Sequence, residues 1–254
     1  MDYESGIFVF QNQEYWLYMK NNFLKHTHKH EDLLGILYYV NNTEILVDSG
    51  KYNYDYQSEI RKYIISESAY NVPFIKQHQG SSLKKNKFAT SIHENTQETL
   101  HLNATNITDI YSINRNVIYL KKFKTLIIID QFHTQKDETF VSNFIFNPDI
   151  TINHINDKTY SIDEPGLIFK SLFNNINMLD KSNKHDNWIS YKFNKITKTN
   201  KLIIESRGTD SRHVNLIVSK EFENINIKIE KKKLKSVLKK KIIILQYSKL
   251  NRGV

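Results

Sequence analysis

The sequence predicts an all-β fold: one large antiparallel β-sandwich built from two sheets, similar to a supersandwich. Short apolar or alternating segments bounded by turn residues recur along the whole chain, which is typical of strands. No segment keeps an apolar period of 3.6 over a dozen residues, so long helices are not expected. The chain has neither an internal repeat nor a Pro/Gly/Ser-rich linker, and 254 residues are enough to bury a sizeable core. We therefore expect residues 1–254 to form a single domain.

The individual elements follow from the apolar pattern. Strands are predicted at residues 7–10, 15–19, 34–40, 44–47, 117–123, 125–129, 139–146, 167–169, 188–193, 201–205, 214–218, 225–229 and 242–246. Helices are expected only at 56–66 and 234–241, both short. Asparagine turns such as Asn41-Asn42 separate the strands, because asparagine tolerates the left-handed backbone and the chain has only seven glycines. This spacing of strands and turns suits an antiparallel sandwich.

The chain is basic, with 36 Lys and Arg against 27 Asp and Glu and a formal net charge of +9. Only five of these cations are arginine, the residue best suited to bidentate recognition of phosphates and base edges. Because no nucleic-acid recognition motif accompanies the charge, we do not expect a nucleic-acid partner. A general attraction to polyanions remains, and an AT-rich coding bias accounts equally well for much of the lysine excess.

The densest charge run forms a basic C-terminal segment at residues 230–241. One interpretation is a patch that holds a polyanion or an anionic surface. The other is a solvated turn or edge strand whose lysines prevent edge-to-edge pairing with another sheet. We favour the second interpretation.

Composition also excludes several classes of protein. The longest aliphatic runs, 126–129 and 242–245, are far shorter than the roughly 20 apolar residues of a membrane helix, so no membrane span is expected. The N-terminus lacks the pattern of a secretory signal peptide, and the localisation stays open. With no cysteine, disulfides, zinc–thiolate sites, iron–sulfur clusters and thiol nucleophiles are excluded, so a metal site would need His, Asp or Glu.

A histidine cluster marks the candidate functional site. Three of the ten histidines, His26, His28 and His30, fall within five residues. In a strand they share one face, where they can bind a metal or act as bases, although a polar surface has the same pattern. The predicted hairpin at 34–47 would bring Asp48 back beside His28 and His30.

Four motifs around this cluster resemble the heparinase II/III-like family of polysaccharide lyases. They are HKHED at 28–32, DSGKYNY at 48–54, RKY at 61–63 and AYNV at 69–72. The corresponding family motifs are H-x-H-x-D, D-x-G-x-Y-x-Y, R-x-Y and A-H-N-T/V. The strands near the N-terminus and NFIFNPD at 143–149 also fit. The specific match covers about residues 5–80 and weakens beyond them.

The resemblance implies a lyase of uronate-containing, anionic polysaccharides. Full-length members combine an N-terminal α/α toroid with a C-terminal β-sandwich, and this chain looks like the sandwich alone. The toroid normally supplies further catalytic residues and most sugar subsites, so a separate toroid chain is an expected partner. Family members are often periplasmic or secreted.

The resemblance also implies a zinc site. The family's ligands correspond to His30, Asp48 and position 70, while His28 corresponds to the active-site histidine. Position 70 holds Tyr70, and a neutral phenol is a poor zinc ligand, so the expected Zn²⁺ site is incomplete. His26 and His78 are the candidate replacements.

The expected reaction assigns roles to the remaining motif residues. Elimination requires a base for the proton α to the uronate carboxylate, an acid for the leaving oxygen, and a group that quenches the carboxylate charge. His28 is the candidate acid/base or carboxylate neutraliser. Tyr54 and Tyr63 are phenolic candidates and Arg61 is a carboxylate partner, although each also suits a structural role. Asn71 is expected to bind substrate or to fix the turn.

Two functions remain open from the sequence. The motifs favour a lyase module that is incomplete without a toroid. The altered metal-ligand position favours a non-catalytic, carbohydrate-binding or remnant sandwich of capsule or exopolysaccharide metabolism.

Overall fold

A computed structural model describes residues 6–22, 30–80, 87–184, 186–224, 227–231 and 240–244, and it confirms the predicted all-β class. The strands of these ranges are β1 (Ile7–Gln11), β2 (Tyr15–Lys20), β3 (Gly35–Val40), β4 (Thr43–Leu46), β5 (Pro73–Ile75), β6 (Lys87–Asn95), β7 (Thr99–Ile107), β8 (Tyr111–Leu120), β9 (Thr125–Ile145), β10 (Ile152–Asn156), β11 (Thr159–Ile162), β12 (Leu167–Ser171), β13 (Ile176–Leu179), β14 (Trp188–Lys192), β15 (Lys195–Lys198), β16 (Lys201–Ser219), β17 (Ile227–Lys231) and β18 (Lys240–Ile244). The helical elements are α1 (Glu59–Ile64) and short 3-10 turns at Glu67–Ala69, Lys76–His78, Lys121–Phe123 and Lys220–Phe222. No helix in this described part of the chain is long and apolar enough to cross a membrane.

The fold is organised around one long antiparallel ribbon, formed by β9 and β16. Their pairing runs from Lys201 opposite Ile145 to Val218 opposite Thr125, with a register shift after Gly208. Asp130 and Ser142 both lie on β9, and a hydrogen bond of 2.6 Å joins their side chains. Twelve residues of straight strand would separate them by about 40 Å. The ribbon therefore folds back on itself between these two positions.

The folded ribbon contributes strands to both layers of a sandwich. One half of the ribbon continues through β12, β11 and β10 on one side and through β8, β7 and β6 on the other. The other half pairs with β5 and β13, and a bridge between Leu46 and Phe146 connects it to the four-stranded sheet β1–β2–β3–β4. All pairings between the named strands are antiparallel, which confirms the predicted antiparallel two-sheet sandwich.

Alternating side chains fill the space between the layers. Leu126, Ile128 and Phe132 from the first half of β9 meet Phe140 and Phe144 from the second half in one core cluster. The rings of Phe132 and Phe140 stack with centroids 5.0 Å apart. Burial of each of these side chains stabilises the fold by about 2–3 kcal/mol.

The structure corrects several predicted elements. The predicted strands 125–129 and 139–146 are parts of the single strand β9, and the unpredicted strands β6 and β7 form one edge of the large sheet. The predicted helix 56–66 is confirmed as the shorter α1, capped by Ser58. Residues 232–239, which hold most of the basic segment and of the predicted helix 234–241, lie outside the described residues. Residues 240 and 241 belong to β18 rather than to a helix, and the strand predicted at 242–246 is confirmed for residues 242–244. The single domain over 1–254 stays a prediction.

A fully buried ion pair lies between the layers. Arg115 on β8 donates from Nε and Nη2 to the two carboxylate oxygens of Asp130, at 2.6 and 2.8 Å, and both side chains have no exposed surface. Nη1 of Arg115 also donates to the carbonyl oxygens of Leu34 and Asn71, at 2.9 and 2.6 Å. The guanidinium therefore ties the large sheet to two loops of the opposite layer.

The ion pair continues into a buried chain of hydroxyl groups around His213. Ser142 Oγ donates to Asp130 and contacts His213 Nδ1 at 2.9 Å, while Ser206 Oγ contacts His213 Nε2 at 2.8 Å. Burial lowers the pKa of His213 to about 4, against the opposing effects of Asp130 and Glu205. His213 is therefore a neutral, structural histidine at physiological pH.

Replacing Asp130 with asparagine should destabilise the fold strongly. Asp130→Asn leaves the buried Arg115 charge without its counter-ion, which costs about 3–5 kcal/mol of unfolding free energy. Asp137→Asn is a matched control, because it breaks the exposed Arg207–Asp137 pair, which is worth about 1 kcal/mol or less. Urea unfolding measures the free energy of unfolding of both variants. An equal loss of stability in Asp130→Asn and Asp137→Asn would contradict the structural role of the buried pair.

Acid should weaken the fold through His213. Its pKa is about 4 in the folded chain and 6.5 in the unfolded chain, so the unfolded state binds more protons below pH 6.5. The stabilising contribution is complete above pH 6.5 and is lost as the pH falls towards 4. The matched variant is His213→Gln, which keeps polar contacts without titrating. Between pH 7 and pH 5 the free energy of unfolding of the native chain should fall by about 2 kcal/mol more than that of this variant. Urea unfolding at both pH values measures this difference, and parallel losses would show that His213 is not the group responsible.

Candidate active site

The candidate site is built on the second half of the β9–β16 ribbon. Val141 of β9 packs with Ala69, Tyr70, Val72 and Phe74 in a small apolar cluster. The chain segment that contains α1 and β5 is thereby held against the sheet. The motif residues around position 70 thus rest on a rigid layer.

Asn71 fixes the loops of the site to one another. It is 2% exposed, and its Nδ2 donates to the carbonyl oxygens of Ile36 and Val47 at 3.0 and 2.8 Å. Its Oδ1 accepts from the Ile145 amide at 2.6 Å, and its own carbonyl accepts from Arg115. The side chain therefore positions the loops, and the residue also borders a small cleft that Asp48 and Tyr70 line.

His30 and Tyr70 form the centre of the site. A hydrogen bond joins Nδ1 of His30 to the hydroxyl of Tyr70. Burial raises the pKa of Tyr70 well above its usual value, with further contributions from Asp48 and Asp32, so the hydroxyl keeps its proton. Burial also lowers the pKa of His30 below 6.5. The pair is therefore a neutral imidazole bonded to a neutral phenol.

A cluster of acids lies beside this pair. Asp32, Asp48, Lys20 and Tyr70 line one small cleft, in which Lys20 Nζ bonds Asp32 Oδ2 at 2.5 Å. Burial raises the pKa of Asp48, and the nearby Asp32 adds to this effect, although the Gly50 amide donates to Asp48 Oδ1 at 2.6 Å and opposes it. Tyr70 contacts His30 and also lines the cleft of Asp48, so the two predicted site residues are linked through Tyr70.

Gly50 is required by the path of the chain after Asp48. Its φ is +70°, and a Cβ atom at this position would lie 2.2 Å from the carbonyl oxygen of Ser190. Gly50 and Ser190 form a bridge between this loop and the β14–β15 hairpin. The glycine of the D-x-G motif therefore allows the hairpin to pack beside the site.

A second cleft, about 70 Å³ in volume, opens beside His30. Its walls include His30, Lys51, Tyr54, Arg61 and Asn53. Arg61 Nε donates to the carbonyl of Asn53 at 3.0 Å, which holds the guanidinium at the cleft. This cleft combines one uncharged imidazole with two cations.

The predicted phenolic residues lie in different surroundings. Tyr54 is 49% exposed, and Lys51 Nζ bonds its hydroxyl and lies 4.0 Å from its ring centroid. The Tyr63 hydroxyl instead accepts from the Asn187 amide at 2.9 Å, and its ring meets Trp188 edge-on. Tyr54 therefore faces the cleft, whereas Tyr63 connects α1 to the start of the β14–β15 hairpin.

The structure thus brings together most of the motif residues. His30, Tyr54 and Arg61 line one cleft, Asp48 lies in the neighbouring one, and Asn71 and Tyr63 hold the loops. His26 and His28 lie outside the described residues, so the role of His28 stays a prediction. Lys51 was missed as a site residue, although its place inside the DSGKYNY motif was a usable signal. Lys20 was missed because nothing in β2 distinguishes it from other surface lysines.

The described residues do not fit a zinc site. Nδ1 of His30 is bonded to the protonated hydroxyl of Tyr70, which is a poor zinc ligand. The proposed replacement His78 bonds Glu138 Oε1 at 2.9 Å and lines a separate cleft. In the part of the chain that the structure describes, no three His, Cys, Asp or Glu side chains are grouped so that they could hold a metal ion.

Comparison with known proteins identifies the family and agrees with the fold. The model of the C-terminal domain of heparinase II/III-like proteins matches residues 3–230. One similar solved structure is a heparinase III, with a TM-score of 0.75 and 16% sequence identity; the match covers 91% of this chain and 38% of that one. Another is the heparan sulfate lyase HepC from Pedobacter heparinus, with a TM-score of 0.70 and 13% sequence identity; the match covers 96% of this chain and 42% of that one. No curated sequence matches the chain. The chain spans about two fifths of the length of those two structures, and at this identity the likeness shows a shared fold. Because the family model covers most of its length, the chain belongs to the heparinase II/III-like family and corresponds to its C-terminal domain.

Proposed function

We propose that this chain is the β-sandwich module of a polysaccharide lyase that cleaves uronate-containing, anionic polysaccharides by β-elimination. The observation that carries the proposal is the cleft in which His30, kept neutral by burial, faces Lys51 and Arg61. Family membership and the heparinase fold support it. An α/α toroid, on the same protein or on a separate chain, is the proposed partner that completes the substrate cleft.

The cleft offers the groups that the reaction needs. Removing the proton beside a uronate carboxylate places negative charge on that carboxylate, and the cations of Lys51 and Arg61 stabilise such charge. A neutral imidazole can accept a proton, which suits His30. The same role stays a prediction for His28, which lies outside the described residues. The Tyr54 hydroxyl, held by Lys51, is the candidate acid for the leaving oxygen. Asn71 and Tyr63 are assigned to positioning, since their polar atoms bond the main chain.

No step of this proposal uses a metal. The donor set of His30, Asp48 and Tyr70 does not fit zinc, and the cations of the cleft supply the positive charge that the carboxylate needs. The second candidate function is carbohydrate binding without chemistry. The contact between Tyr70 and His30 favours this function, because Nδ1 of His30 is already hydrogen-bonded to the Tyr70 hydroxyl and is not free for proton transfer.

Elimination should depend on His30. With a polyuronate or heparan sulfate, and with a family toroid domain supplied in trans, the chain should generate the ultraviolet absorbance of an unsaturated uronate. His30→Ala should lower the rate about 10²- to 10⁴-fold, which is the usual contribution of a positioned acid or base. His154→Ala, at an exposed histidine of β10, is the matched control and should keep the full rate.

Two results would contradict the lyase proposal. One is no gain of absorbance on any of these polymers, with or without the toroid. The other is an equal rate for the native chain and His30→Ala. Polysaccharide binding that persists without elimination would support the second candidate function instead.

Zinc binding should be limited by the residue at position 70. Tyr70→His replaces the phenol by an imidazole beside His30 and near the carboxylates that raise the pKa of Tyr70. This variant should retain one zinc ion per chain after dialysis, measured by elemental analysis, because it gains a good ligand. Tyr70→Phe is the control, since it removes the hydroxyl without adding a ligand, and should retain none. Retention of zinc by the native chain would contradict this account of Tyr70.

A further inference from the structure

Two exposed aromatic rings lie at the rim of the His30 cleft. Phe193, at the tip of the β14–β15 hairpin, is 59% exposed, and Tyr54 is 49% exposed. Their ring centroids are 6.2 Å apart. Tyr54 also lines the cleft that contains His30 and Arg61, so the ring pair extends the cleft outwards.

The hairpin tip is fastened in this position. The Asn194 amide donates to the Tyr52 carbonyl at 2.8 Å, and Asn53 Nδ2 donates to Asn194 Oδ1 at 2.9 Å. Ser190 Oγ donates to the Lys51 carbonyl at 3.1 Å. These hydrogen bonds hold the hairpin against the loop, so the backbone that carries the two rings is fixed.

Lysines lie on the same loop and hairpin as the rings. Lys51 Nζ lies 4.0 Å from the Tyr54 ring centroid, and Lys192 and Lys195 are exposed on either side of the hairpin turn. The acid on this loop, Asp55, accepts a hydrogen bond from the Gln57 amide within its own turn. The rim therefore has apolar ring faces beside a net positive charge.

Resting on the proposed function, we infer that Tyr54 and Phe193 form a subsite for an acidic sugar residue of the polysaccharide, next to the reacting bond. Sugar C–H groups stack on the negative face of aromatic rings. A carboxylate or sulfate on the same or the next sugar would be held by Lys51 and Lys192. A protein partner fits less well, since two rings and their lysines give only a small fraction of the roughly 1,000 Å² that a stable interface needs.

The test uses the full chain and measures affinity by calorimetry for heparan sulfate, a polyuronate and neutral dextran. Phe193→Ala should weaken binding of the best acidic polymer about tenfold, and Phe193→Trp should retain it. Lys192→Gln should reduce the salt dependence of binding. Phe173→Ala is the matched control, because Phe173 is also an exposed ring beside a cation, Arg212, but lies between β12 and β13.

The possible outcomes separate the subsite from the lyase proposal. Unchanged affinity in Phe193→Ala, equal loss in Phe173→Ala, or no binding by the native chain would overturn the subsite. Binding that depends on Phe193 without any elimination would support the subsite and contradict the lyase. If Phe193→Ala weakens binding of the toroid domain but not of the polymer, the rings are a protein contact and the subsite is wrong.

Discussion

The buried guanidinium of Arg115 is the interaction on which the site depends. A charge with no exposed surface is tolerated only when it is paired and hydrogen-bonded, and Asp130 together with the carbonyls of Leu34 and Asn71 meets this condition. Because Asp130 belongs to the large sheet and the two carbonyls belong to site loops, the same group joins the layers and sets the loop positions. Its removal would release both loops at once.

One of these loops has a strained backbone. Leu34 has a φ of +64°, which is unusual for a bulky side chain and costs about 1–3 kcal/mol. Three features offset this cost. Arg115 donates to the Leu34 carbonyl, the Leu34 side chain is buried, and the Gly35 amide closes a turn on the Asp32 carbonyl. This bond from the Gly35 amide is 3.0 Å long, and the Asp32 carboxylate pairs with Lys20 in the acidic cleft. The buried pair of the core and the acidic cleft are therefore connected through one loop.

The sequence predicted the sandwich and the motif positions because both depend on local patterns. Alternation located most strands, and the spacing of H-x-H, D-x-G and R-x-Y located the loops that surround His30. The fold-back of β9 could not be predicted, since it is visible only in tertiary contacts such as those of Asp130 with Ser142 and of Phe132 with Phe140. Strand β7 was missed because its half-buried positions hold Thr, His and Asn while its buried ones include the small Ala104 and the polar Asn106, so its apolar signal is weak. The role of Asn71 depends on three partners distant in sequence, which no motif contains.

The two clefts beside His30 have opposite charge, and Tyr70 explains how they can be neighbours. Asp32 and Asp48 lie on one side with Lys20 as the cation of that cleft, while Lys51 and Arg61 lie on the other. A protonated phenol bonded to a neutral imidazole separates them with uncharged groups, so neither cleft neutralises the other. A metal ion at this position would instead draw the acids and the imidazole into one charged centre. With Tyr70, positive charge is kept on the side that the exposed rings extend, which is the side of the proposed subsite.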